Sequence, residues 1–159
     1  MGKVLSNFLN GYAGAIARSL DDVVVSLANR SGAALPFGVP VAFSADHGGI
    51  VRFDPASHTG NDFIGVTVRN PSKTPDTYGG NTGSYADKEL VDVLVRGKIV
   101  VKMAGSGAVP GTKVNILNST GGFTVAYGDT AIPLNNVHIS CAPDGAGMAE
   151  IVLNTRNLI

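Results

Sequence analysis

From Val23 to Leu153 the sequence is a succession of short apolar runs, each cut off by glycine, proline, asparagine or aspartate. Side chains two apart share one face of a strand, and the turn residues supply the backbone angles between strands. Val23, Val25 and Leu27 alternate before an Asn-Arg-Ser-Gly turn. FSADHGGIVRF reads as two strands around a polar turn at Asp46 to Gly49, and FIGVTV as another. KVNIL and FTVAY are separated by Thr120-Gly121-Gly122, and in GMAEIVL the residues Ala149, Ile151 and Leu153 are expected to point inward. Roughly nine such strands at this spacing predict a mainly β domain, a small barrel or sandwich. The 159 residues make one ordinary domain, long enough to bury about 70% of its unfolded surface.

One run resists this reading. LPFGVPVAF, residues 35–43, has the apolar content of a buried strand but carries Pro36 and Pro40. Proline has no N–H for a sheet ladder, so a central strand does not accept two of them. The expectation is a strand at an edge or barrel mouth, where the missing donors face solvent or a partner chain and the prolines block uncontrolled strand addition. VDVLVRGKIVVKM reads as a hairpin with the three-residue loop Val95-Arg96-Gly97. Gly97 takes the left-handed bulge position that only glycine fills cheaply, and Val93 is set against Ile99.

Two segments break the period of two. Leu5, Phe8, Leu9, Tyr12 and Ile16 are spaced by threes and fours, the stripe of a short amphipathic helix in an N-terminal arm, residues 1–20, ahead of a domain over 21–159. Gly11 and Gly14 interrupt that helix, each at a cost of about 1 kcal/mol relative to Ala. So weak a helix needs its stripe covered, by the domain behind it or by another chain. Residues 69–89 form a long loop without periodicity that holds Tyr78 and Tyr85. Loops of this length usually serve a function, and tyrosines favour interfaces.

Chemical motifs fail one after another. His47, His58 and His138 are far apart, and His138 with Cys141 supplies two ligands where a structural zinc needs four. GSGAVPGTK misses the phosphate-loop spacing, with Thr112 where the lysine belongs. No G-x-S-x-G elbow exists for the DHGG turn to serve. No catalytic residue, metal or cofactor is therefore expected. Twelve basic residues balance twelve acidic ones, so no strong field draws the chain to nucleic acid or an anionic membrane. No apolar run approaches the roughly 18 residues of a membrane span. The lone Cys141 forbids an internal disulfide. Charged residues are only 15%, against about 25% in an average domain, which suggests a surface covered by neighbours.

The order PFGVPVAF, GGIVRF, FIGVTV, LVDVLVRGKIVV, PGTKVNIL and GAGMAEIVL, from about Leu35 to Leu153, resembles the structural cement (capsid decoration) proteins of tailed bacteriophages. The resemblance implies a small β-barrel of β-tulip type with an N-terminal arm, and no enzymatic activity. It implies oligomers, commonly trimers, seated on the outer surface of the capsid after synthesis in the host cytoplasm, with the major capsid protein as partner. Leu5, Phe8, Leu9, Tyr12, Ile16, Pro36, Pro40, Tyr78 and Tyr85 are the expected capsid or subunit contacts. A tail or fibre module binding host glycans through aromatics of loop 69–89 is the alternative.

Overall fold

The computed structural model describes residues 10–17, 21–73 and 83–154. Leu5, Phe8, Leu9 and Tyr78 lie outside the described residues. The strands are β1 (Val23–Ala28), β2 (Leu35–Pro36), β3 (Pro40–Phe43), β4 (Ile50–Arg52), β5 (Phe63–Thr67), β6 (Ser84–Tyr85), β7 (Leu90–Ala104), β8 (Lys113–Leu117), β9 (Phe123–Thr124), β10 (Ala131–Cys141) and β11 (Met148–Leu153).

The long strand β7 organises them. Its second half pairs with β11 and ends beside β9. Since β11, β10, β8 and β9 also pair in turn, these five strands close a barrel. The first half of β7 pairs with β1 and β5, and β5, β3 and β4 continue as a second sheet. The outer strands of that sheet, β1 and β4, meet only at a bridge between Asn29 and Ile50.

Each half has its own core. Val91, Val93 and Val95 face a cluster with Leu35, Phe37 and Tyr85, while Leu94 faces the barrel core. Beyond Gly97 the parity reverses, and Ile99, Val101 and Met103 enter the barrel core. An extra residue in a strand turns every later side chain to the opposite face. Gly97 has a φ of +121°, and a Cβ there would collide with the Asp22 carboxylate. The register between β1 and β7 shifts at the same place. Phe63 of β5 meets Phe123 of β9 edge to face, ring centroids 6.5 Å apart, and joins the two halves.

The expected bulge at Gly97 is therefore present, but the expected hairpin is not. Residues 90–104 run as a single strand, because each half finds partners on both edges and a reversal would forfeit them. The proline run also divides. Gly38, with φ +70°, turns the chain between β2 and β3. Pro36 is exposed and belongs to the two-residue ladder with β6. Pro40 is buried at the start of β3, which lies between β4 and β5 and is not an edge. A first-position proline costs the ladder little, and its carbonyl still accepts the Phe53 N–H. Ala149, Ile151 and Leu153 point inward as expected. FTVAY pairs only at its first two residues, and β10 fills a stretch whose alternation Pro133 and Asn135-Asn136 conceal.

Candidate functional site

The arm is the first surface to place. Among its described residues, 10–17, no helix forms. Gly11 and Gly14 have φ of +125° and +78°, which break the helical course on which the spacing of Tyr12 and Ile16 depended. The segment instead lies along β7. Gly14 N–H donates to Val100 O, Val100 N–H to Ala15 O, and Ala17 N–H to Lys98 O. Ile99 thus pairs with Ile16 on one edge and Ile151 on the other. A Cβ on Gly14 would lie 2.8 Å from Arg69 N and 2.9 Å from Gly38 N, so only glycine allows this approach. The guanidinium of Arg69 stands over the Tyr12 ring at 4.9 Å.

A clasp fixes the root of the arm. Asn10 N–H donates to the Asp144 carboxylate at 2.8 Å, and its amide donates to Ala142 O and Met148 O at 2.8 and 2.6 Å. Cys141 Sγ, on an exposed residue, lies 3.3 Å from Asn10 Oδ1. Burial alone would raise the pKa of Asp144, but backbone N–H donors from Asn10, Met148 and Ala146, with Lys102 nearby, hold it below the ordinary value. A depressed carboxylate stabilises above the pKa of the unfolded chain and loses that contribution as pH falls through the native value. Asp144→Asn, which removes the charge at neutral pH, is expected to loosen the arm alone. Amide exchange at Gly14 and Ala17 should accelerate roughly tenfold, the effect of losing one charge-assisted bond, with barrel amides unchanged. Unaltered exchange at both would show that the clasp does not hold the arm.

Tyr12 and Ile16 remain 39% and 40% exposed, and Pro36 is exposed as well. Tyr85, expected as an interface aromatic, is a core residue at 1% exposure. Its hydroxyl donates to Val68 O at 2.7 Å and its ring meets Phe37 edge to face. Burial, with Asp92 nearby, pushes its pKa up to about 12. Loop position misled here, because β6 draws the ring beneath β2.

The sheet edges differ in chemistry. β4 is three residues long and carries Arg52. β1, VVVSLA, has no charge and no proline, and among the described residues pairs with β7 alone apart from the Asn29 bridge at its end. Val24 of β1 is 41% exposed and Leu90, opposite Ala28, is 64% exposed. Nothing in the alternation of VVVSLA distinguishes it from a covered strand.

The polar groups cap turns. Ser57 Oγ donates to Asp54 and not to His58, whose Nδ1 accepts the Asp54 N–H, so these neighbours do not form a nucleophilic triad. Asp46, Asp54 and Asp62 are all held below the usual carboxylate pKa, chiefly by hydrogen bonds from Ser44, Ser57 and the Thr59 backbone respectively. A general acid would be shifted upward. Among the described residues no group of three His, Cys, Asp or Glu side chains could hold a metal, and no helix is long and apolar enough to cross a membrane.

A cleft of about 370 Å³ opens where the barrel, the second sheet and the arm meet, with Arg52 and Lys102 on its rim. Sequence reading missed both of these and the Asn10–Asp144 pair. The Pro-Asp-Gly turn at 143–145 was visible, but nothing tied it to a residue 134 positions away.

Similarity places these surfaces in context. The fold resembles that of a chain in the capsid of Myoviridae phage XM1, with a TM-score of 0.74 at 19% identity over 96% of this chain and 95% of that one. No curated protein matches the sequence. Residues 3–154 match the model of the structural cement protein family (E217 gp24/Pam3 gp6). With a family match across nearly its whole length, the chain belongs to the structural cement proteins, non-enzymatic virion components that stabilise the capsid.

Proposed function

We propose that the protein docks as a homotrimer on the outer surface of the shell and bonds neighbouring copies of the major capsid protein. The match over residues 3–154 carries this reading. The uncharged open edge of β1 supports it, since an edge left without lysine or proline invites a partner strand. So do the half-exposed Tyr12 and Ile16 on the seated arm. A ligand that binds only the assembled shell stabilises that state by mass action, by about 2.7 kcal/mol per site at a free concentration one hundred times Kd. Three patches on one trimer would engage at high effective concentration once the first has docked.

Purified shells lacking the protein are the test. Added protein is expected to bind saturably and raise the temperature at which the shells come apart. In solution it should show three times the 16.2 kDa mass of the chain. A lone monomer that leaves the dissociation temperature of the shells unchanged would sink the reading.

A further inference from the structure

Four apolar side chains floor the cleft between the two halves of the molecule: Phe37, Pro40, Met103 and Phe123. All four are already buried in the folded chain. The cleft is therefore largely formed in advance, and an occupant would order little of the protein on entering. Its arm side is equally fixed. Ala13 lines it, and a Cβ on Gly38 would lie 2.7 Å from Gly14 N, so arm and turn meet backbone to backbone there.

The rim carries charge of one sign. Arg52 and Lys102 are exposed, and among the described residues no acidic residue lines the cleft. The nearby carboxylates are already engaged, Asp54 within its own turn and Asp144 in its turn and the arm clasp. Asp54 accepts from Ala56 N–H and Ser57 Oγ, and Asp144 from three backbone N–H groups. The Arg52 side chain has no ion-pair or hydrogen-bond partner among the described residues. Lys102 donates one bond to Ala146 O, which leaves two of its three donors. In a chain of no net charge, this is a local cationic rim above an apolar floor.

We propose that this cleft receives an extended segment of the capsid protein whose apolar side chains fill the floor and whose aspartate or glutamate pairs with Arg52 and Lys102. The inference rests on the capsid-docking reading and names the surface that performs it. A guanidinium and an ammonium flanking one opening bind a carboxylate by charge-assisted hydrogen bonds, with a bidentate geometry open to Arg52. The cleft is in the lower part of the range for bound ligands, about 300–1,000 Å³, which suits a few side chains rather than a folded domain.

The full-length protein with both Arg52→Glu and Lys102→Glu is titrated onto shells lacking the protein, beside wild type. Occupancy of the reversed protein is expected to fall at least tenfold at equal concentration, with solution mass unchanged and unfolding still cooperative. Arg52→Lys with Lys102→Arg should keep most of the binding. Raising salt should weaken wild type more than the reversed protein. Equal occupancy of wild type and the reversed protein would overturn the proposal while leaving capsid docking intact. Failure of wild type to bind any shell would sink the docking reading, and this inference with it. A photo-crosslinking residue in place of Thr120, on the exposed rim, identifies the occupant independently. An adduct to a capsid peptide with Asp or Glu beside apolar residues supports the proposal. Adducts to residues 1–9 of this chain, from the same or another copy, or to a capsid segment without an acid, refute it.

Discussion

Deleting residues 1–17 is expected to destabilise the domain by about 4 kcal/mol, whereas deleting residues 1–9 should leave its stability near wild type. Among the described residues, four backbone hydrogen bonds join the arm to the domain: those of Gly14, Ala15 and Ala17 with β7, and Arg69 N–H to Gly14 O. Each is worth about 1 kcal/mol net. Their loss would also uncover the edge of β7 over the barrel core and the Gly14–Gly38 contact. With a urea dependence of about 1–3 kcal/mol/M, the longer deletion should move the unfolding midpoint by on the order of 2 M. Coincident curves for the two deletions would show that residues 10–17 contribute nothing to the fold. Residues 14–17 of the expected arm, 1–20, are thus hydrogen-bonded along β7.

The second large effect belongs to Asn29. It is fully buried, and its amide donates to Ala33 O, Tyr85 O and Ala86 O while Oδ1 accepts from Ser31. Its backbone also pairs with Glu89 and Lys88. One side chain thus ties the end of β1 to the segment around β6. Asn29→Asp keeps the shape but turns the donors into an acceptor facing three carbonyls. The expected cost is about 3 kcal/mol or more at neutral pH, the sum of unpaired carbonyls and an uncompensated buried charge. It should shrink in mild acid, where the introduced carboxyl protonates. A urea midpoint within error of wild type at pH 7 would disprove the role. Asn29-Arg30-Ser31 also fits the glycosylation sequon, but this amide is occupied and out of reach of solvent.

Much of the fold was legible because strands leave a local trace. Alternation over a few residues marked β1, β5, β8 and β11, and glycine marked the left-handed bulge at 97, since φ is a property of one residue. Pairing is not local. Whether Val95-Arg96-Gly97 reverses the chain or kinks a straight strand depends on what lies on either edge of β7, and β1 and β11 come from opposite ends of the sequence. The same limit hid which strand is an edge. Two prolines pointed to residues 35–43, yet β3 is flanked on both sides and uncharged β1 is open.

Sequence by itself determined the class of this protein: mainly β, without a recognisable catalytic motif, and similar in the order of its short motifs to the cement proteins. Those are consequences of residue type and near-neighbour spacing. Only the tertiary structure decided that Ile16 of the arm bridges to Ile99 of β7, that Tyr85 is core, and that Arg52 and Lys102 share one opening. Each depends on residues far apart in the chain being brought together, and the free energy of those contacts exceeds the weak local preference that the spacing alone expresses.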